Sequence, residues 1–236
     1  MTDNHQPGDN PPQNVTFPSN GSQAHGYLAR PPGGSGPGVI VIQEWWGLTS
    51  HIASVADRLA ARGFVALAPD LYGGRTTHDE DEAGQLMQAL PVDRAARDLA
   101  GAVEFLLADE AVIGDAVGTI GFCMGGAFVL ALAANTGSQV AAAVAFYPVG
   151  PVPDDLSSLT APVQAHFGSD DTFVPEAQAR QLVAKLESET DNLPDARFYP
   201  AGHAFFNDDN LLGTYDEAQA DIAWERTVTF LHERLG

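Results

Sequence analysis

A chain of 236 residues, 44% apolar and 18% charged, has the size and composition of one large soluble domain. Its net charge of −20, from 31 acidic against 11 basic residues, repels phosphate backbones and argues against a nucleic-acid partner; the acidic excess reads as a solvated surface. One cysteine excludes an intramolecular disulfide and a cysteine-rich zinc site, and no apolar run reaches membrane-spanning length.

Residues 1–13 are polar and rich in Pro and Asn, which predicts a disordered tail ahead of a domain over 14–236. The tail has neither the basic nor the apolar region of a signal peptide, so the expected location is cytoplasmic. "VTFPSNGSQAHGYLARP" then predicts an edge hairpin turning at "SNGS". After the loop "PPGGSGPG", the continuous β-branched run "VIVIQE" predicts a strand buried on both faces. "LTSHIASVADRLAARG" places Ile52, Val55, Ala56 and Leu59 at helical spacing, with Thr49 or Ser50 to cap its start and Gly63 just beyond its end.

The alternation continues through the strand "FVALAP", a helix presenting Leu99, Val103 and Leu106, and the strand "AVGTIGF". "MGGAFVLALAA" is apolar all round, as a helix covered by neighbours is. The strands "VAAAVAFYP", "APVQAHFG" and "ARFYP" follow, with the helix "PEAQARQLVAKL" before the last of them. A final helix near 215–235 puts Trp224, Val228, Leu231 and Leu235 on one face. This order predicts an α/β-hydrolase-like single domain: a mostly parallel central sheet with helices on both faces and a site at the carboxyl ends of its strands.

The only thiol lies in "GFCMG", a G-x-C-x-G turn between a strand and an apolar helix. This is the nucleophile-elbow pattern with a thiol in place of the hydroxyl, and it marks Cys123 as a nucleophile. The glycines allow a strained turn, the helix N-terminus is expected to favour thiolate, and the Met124 amide is placed to hold an oxyanion. The competing reading is a small buried core residue. No G-x-G-x-x-G follows a strand and no G-K-[ST] is present, which argues against a dinucleotide or P-loop site.

A thiol hydrolase needs a base and an orienting acid. Of the seven histidines, His5 falls in the tail, His25 in the hairpin, His51 in a first helical turn, His78 in an acidic loop, His166 inside a strand and His232 on the terminal helix. His203 in "YPAGHAFF" follows the last strand and would emerge at the sheet's carboxyl edge. Asp170 and Asp171 in "HFGSDDTFVP" both fit as the acid on spacing, giving the chain order Cys…Asp…His of α/β-hydrolases.

The segments "VIVIQEWWGL", "GFVALAPDLYGG", "GTIGFCMGG", "APVQAHFGSDDTFVP" and "YPAGHAFFND" together resemble the dienelactone hydrolase family, from about residue 13 to the C-terminus. The family's G-x-x-D-x-x-V-P falls on Gly168, Asp171, Val174 and Pro175, which selects Asp171; the resemblance also puts the nucleophile on Cys123 and the catalytic histidine on His203. It implies that Glu44, after Gln43, meets the resting thiol and helps form thiolate, and that the Trp45 amide completes the oxyanion hole with Met124. The resemblance implies a cysteine-dependent ester or lactone hydrolase with no metal or organic cofactor, acting on a small molecule as a monomer or small homo-oligomer. A general esterase or thioesterase on the same triad is the nearest alternative, and a ligand-binding or redox-sensing protein using Cys123 is the alternative of another class. Family members that act on dienelactone hold its carboxylate with arginines, whereas "AFFNDD" after His203 has none, and the segment from Tyr72 to Arg94 adds only Arg75. Arg75 and Phe206 are the expected substrate contacts, and neutral substrates are the expected preference.

Overall fold

The computed structural model describes residues 13–19, 21–150 and 152–236. In chain order its strands are β1 (Val15–Ser19), β2 (Ser22–Ala29), β3 (Gly38–Ile42), β4 (Val65–Pro69), β5 (Val117–Phe122), β6 (Val140–Phe146), β7 (Val163–Gly168) and β8 (Asp195–Tyr199). The helices are α1 (Ser50–Ala61), α2 (Glu80–Ala89), α3 (Val92–Leu107), α4 (Met124–Thr136), α5 (Glu176–Glu189) and α6 (Glu217–Leu235). One sheet runs in the order β1-β2-β4-β3-β5-β6-β7-β8, antiparallel at β1–β2 and β2–β4 and parallel from β4 to β8. Among the described residues no helix is long and apolar enough to cross a membrane.

The β-branched runs are buried on both faces and divide their side chains between two cores. Ile40, Ile42, Val65 and Leu67 join one core with Leu99, Val103 and Leu106 of α3 and with α4. Val39, Val41, Ala66 and Ala68 join the other with Ile52, Val55 and Leu59 of α1 and with Trp224, Val228 and Leu231 of α6. Each buried Ile, Val or Leu contributes about 1.5–3 kcal/mol, so these period-two and period-3.6 patterns fix strand register and helix facing together. Leu235 is only partly buried, at the end of the α6 stripe.

Two local expectations are refined. Thr49 occupies the N-cap of α1, one of the two positions expected, with the extended backbone usual there, but its side chain makes no capping bond. The helix start is held instead by tertiary burial of His51, Ile52 and Ala53. The acidic stretch around His78 is not all loop: Asp79 accepts from the Glu82 amide and starts α2, whose first turn holds Glu80, Asp81 and Glu82. Only Ala83 and Leu86 of α2 are buried, so an apolar stripe too thin to read left this capping pattern as its only signal. The hairpin forms with Ser19 opposite Ser22, while Asn20 of its turn lies outside the described residues. The tail expected to be disordered also lies outside them, except Gln13, whose amide donates to Asp70 Oδ2.

Candidate active site

Cys123 is the N-cap of α4 at the tip of β5, with φ 54° and ψ −117°. A non-glycine residue adopts this region only when its surroundings impose it. Here the Cys123 N–H donates to the Phe146 carbonyl, while its own carbonyl accepts from Gly126 and Val149, each at 3.0 Å. The glycine at 125 is required by close approach: a Cβ there would lie 2.4 Å from the Ile42 carbonyl oxygen and 2.5 Å from that of Gln43. Gly125→Ala is therefore expected to destabilise the protein by about 1–3 kcal/mol and to cut turnover, because the shift is transmitted directly to Glu44. Thermal unfolding and steady-state rates on one preparation check both halves.

The thiol is 6% exposed. Burial, followed by the charge of Glu44, pushes its pKa up, and Asp171 adds to this; hydrogen bonds from the Met124 and Trp45 amides pull the other way. The expected pull of the helix N-terminus toward thiolate is outweighed by desolvation and the neighbouring carboxylate, so the thiol rests protonated.

Asp171 and His203 come from the turns after β7 and β8. Those turns are laced together, with Ser169 N–H donating to Tyr199 O at 2.7 Å and Asp170 N–H to Ala201 O at 3.0 Å. A Cβ at Gly168 would lie 2.3 Å from the Ala201 oxygen, which is why glycine opens the G-x-x-D segment. His203 Nδ1 lies 2.7 Å from Asp171 Oδ2, and both side chains are almost fully buried. Asp171 Oδ1 accepts from the amides of Phe173 and Val174, which fixes the carboxylate's orientation. Asp170 is exposed. His203 Nε2 has no hydrogen-bonding partner among the described residues, leaving it open for proton transfer. The ring sits between Phe173 at 4.8 Å and Tyr147 at 5.0 Å. Phe173 in turn lies edge-on to Trp45, and both rings are partly exposed.

Glu44 is 1% exposed, just beyond β3. Its Oε1 accepts from Tyr147 Oη at 3.2 Å and its Oε2 from Asn207 Nδ2. Burial raises its pKa, opposed first by His51, then by Asn207, His203 and Tyr147. Tyr147 and Asn207 escaped the sequence reading. Each ends or follows a strand at the active edge, as the other site residues do, and that position was the available signal.

The two expected substrate contacts fare differently. Phe206 is 1% exposed and stacked on Phe122 at 5.1 Å, against Phe146 and Trp224. It is a core ring rather than a substrate contact, because the turn after His203 drives it under the sheet's edge. The Arg75 backbone abuts Gly47, close to Trp45, but its guanidinium points to Glu82 at 3.4 Å and is largely exposed. His166, read as a core residue, is fully buried and bonded to Tyr199 Oη and Gln164 Oε1, and burial pushes its pKa down to about 3.

Residues 24–235 match the model of the dienelactone hydrolase family. The chain is 34% identical to "Protein usf" of Aquifex pyrophilus, with 94% of this chain and 99% of that one covered. It is 28% identical to carboxymethylenebutenolidase 1 of Cupriavidus pinatubonensis, covering 89% of this chain and 92% of the other. Its fold matches that of a dienelactone hydrolase-like promiscuous phosphotriesterase from metagenomic libraries, at 28% identity and a TM-score of 0.82, covering 94% and 97% of the two chains.

Proposed function

The chain belongs to the dienelactone hydrolase family, hydrolases of ester and lactone bonds, and from that premise we propose that it cleaves neutral esters or lactones with a Cys123–His203–Asp171 triad. The observation that carries this reading is a lone thiol held at φ 54° on the strand-to-helix turn, at the same sheet edge as a buried His203 whose Nδ1 meets the Asp171 carboxylate at 2.7 Å. A substrate carbonyl entering between the Met124 and Trp45 amides displaces their interaction with sulfur. Glu44 takes the thiol proton, and the thiolate forms the C–S bond while the two amides hold the oxyanion. Collapse breaks the bond to the leaving oxygen, which receives the proton from Glu44. His203 then takes a proton from water, the hydroxide so formed displaces the thiolate, and that proton returns to sulfur.

The partly exposed aromatic pair Trp45–Phe173 next to His203 supports a neutral substrate, as does Arg75 turned toward Glu82. A carboxylate lacking its charge partner typically costs about 2–5 kcal/mol, and about 1.4 kcal/mol is tenfold in rate. The methyl ester of dienelactone is therefore expected to exceed the free acid in kcat/KM by more than about tenfold. Steady-state rates for both at low and high salt test this. Preference for the free acid, weakening as salt rises, would mean that an arginine does hold the carboxylate. Product release from p-nitrophenyl acetate capped at one equivalent of enzyme would defeat the hydrolase reading itself.

A further inference from the structure

Asn207 is 3% exposed, on the turn that Ala204 opens after His203. Its side chain bridges two groups. Oδ1 accepts from the Asp209 N–H at 2.9 Å, and Nδ2 donates to Glu44 Oε2. A backbone N–H can only donate, so the atom facing Asp209 is the oxygen and the atom facing Glu44 is the nitrogen. The chain itself therefore decides which way the amide points. An NH2 group offers nothing to a donor, so Glu44 Oε2 meets it as an acceptor and directs no proton toward it. The other carboxylate oxygen, Oε1, lies 3.2 Å from the Oη of Tyr147, a residue held at φ 35°.

We propose that Asn207 is a positioning residue: its side-chain amide, turned by the Asp209 N–H, holds Glu44 Oε2 as a hydrogen-bond acceptor and keeps that carboxylate ready to take the Cys123 proton. The inference rests on the reading of Glu44 as the thiol's base. Asn207 exchanges no proton itself; it acts through the orientation and protonation state of Glu44. A neutral donor suits this task. It supports the buried carboxylate without the full ion pair that would strip its basicity.

The titratable groups around Glu44 come from four sides: His51 in the first turn of α1, His203 after β8, Tyr147 at the end of β6 and Cys123 at the start of α4. Burial raises the pKa of Glu44, opposed by His51 and then by the bond from Asn207. The acids that follow Asn207 are directed elsewhere. Asp208 Oδ1 lies 2.5 Å from His51 Nδ1 and faces Arg58, and Asp209 is exposed.

Asn207→Asp is the isosteric test. Its oxygen can still accept from the Asp209 N–H, so the turn keeps its bond, but an acid now faces Glu44 where a donor stood. Two carboxyls sharing a site hold a proton to higher pH, so the acid limb of kcat/KM should move upward by more than about one pH unit. Activity lost near neutral pH should return as the pH rises. Asn207→Leu removes the donor without adding charge and should move the limb the same way, by about one unit or less. A purely structural Asn207 predicts the reverse order: Asn207→Leu, which loses the turn bond, would be the more damaging, and neither change would move the limb. Glu44→Gln is the control for the underlying reading and should cost about 10²–10⁴-fold, with Asn207→Asp adding no shift in that background. Wild-type rates in Glu44→Gln would remove the base and its positioning residue together. A damaged Glu44→Gln with unmoved limbs in both Asn207 variants would overturn the positioning role alone, as would a shift that persists in the Glu44→Gln background.

Discussion

Cys123→Ala is expected to lower kcat/KM by about four orders of magnitude or more, and His203→Ala by nearly as much, with the double variant little worse than either. The two groups act as one unit: without the thiol no acyl intermediate forms, and without the imidazole none is released. Both proteins should fold. The elbow's bonds to Phe146, Gly126 and Val149 are made by the Cys123 backbone, so alanine leaves them in place. Iodoacetamide offers the same test without mutation, since complete labelling adds one group to the only thiol. Burial and Glu44 hold that thiol protonated, so labelling should quicken as pH rises. Undiminished turnover in the alkylated enzyme would return Cys123 to a packing role.

Asp171→Asn should cost about 10²–10⁴-fold in kcat, against less than about threefold for Asp170→Asn. An asparagine oxygen can still accept from Phe173 and Val174, so the turn survives. What it loses is the acceptor for His203 Nδ1–H, and an amide group in that place favours the tautomer with its proton on the wrong nitrogen. The neighbouring Asp170 is exposed and makes its bond to Ala201 through the backbone, which asparagine keeps. Comparing kcat for the two variants checks the assignment; greater damage from Asp170→Asn would reverse it.

The sheet was legible because it is built from the most explicit patterns a sequence carries. "VIVI", "FVALA" and "VGTI" read as fully buried strands, and Ile52, Val55 and Leu59 mark a helix face, since each pattern follows from burial alone. The elbow was legible for a different reason: glycines at 121 and 125 record collisions with backbone that no other residue avoids. Choosing Asp171 over its neighbour needed the family spacing, because two adjacent acids differ only in where the turn aims them. Phe206 was misplaced for the same cause. Ala204, at φ 57°, redirects the chain after His203, and no side-chain pattern announces such a turn. The protonation state of the thiol was hidden too, because it depends on Glu44, which is distant in sequence and brought near only by the pairing of β3 with β5.

The chain order of the site has a consequence for the protein while it is being made. Glu44, Cys123, Asp171 and His203 follow four different strands, and His203 follows β8, the sheet's last and outermost member. Its turn is tied down further on, where the Asp216 amide donates to Phe205 O and α6 closes the core beneath. Domains emerge from the ribosome N-terminal end first. On the proposed triad, a nascent chain therefore carries its nucleophile long before the histidine that completes the cycle. Until α6 docks, the histidine turn lacks this support, and on that reading turnover waits for α6.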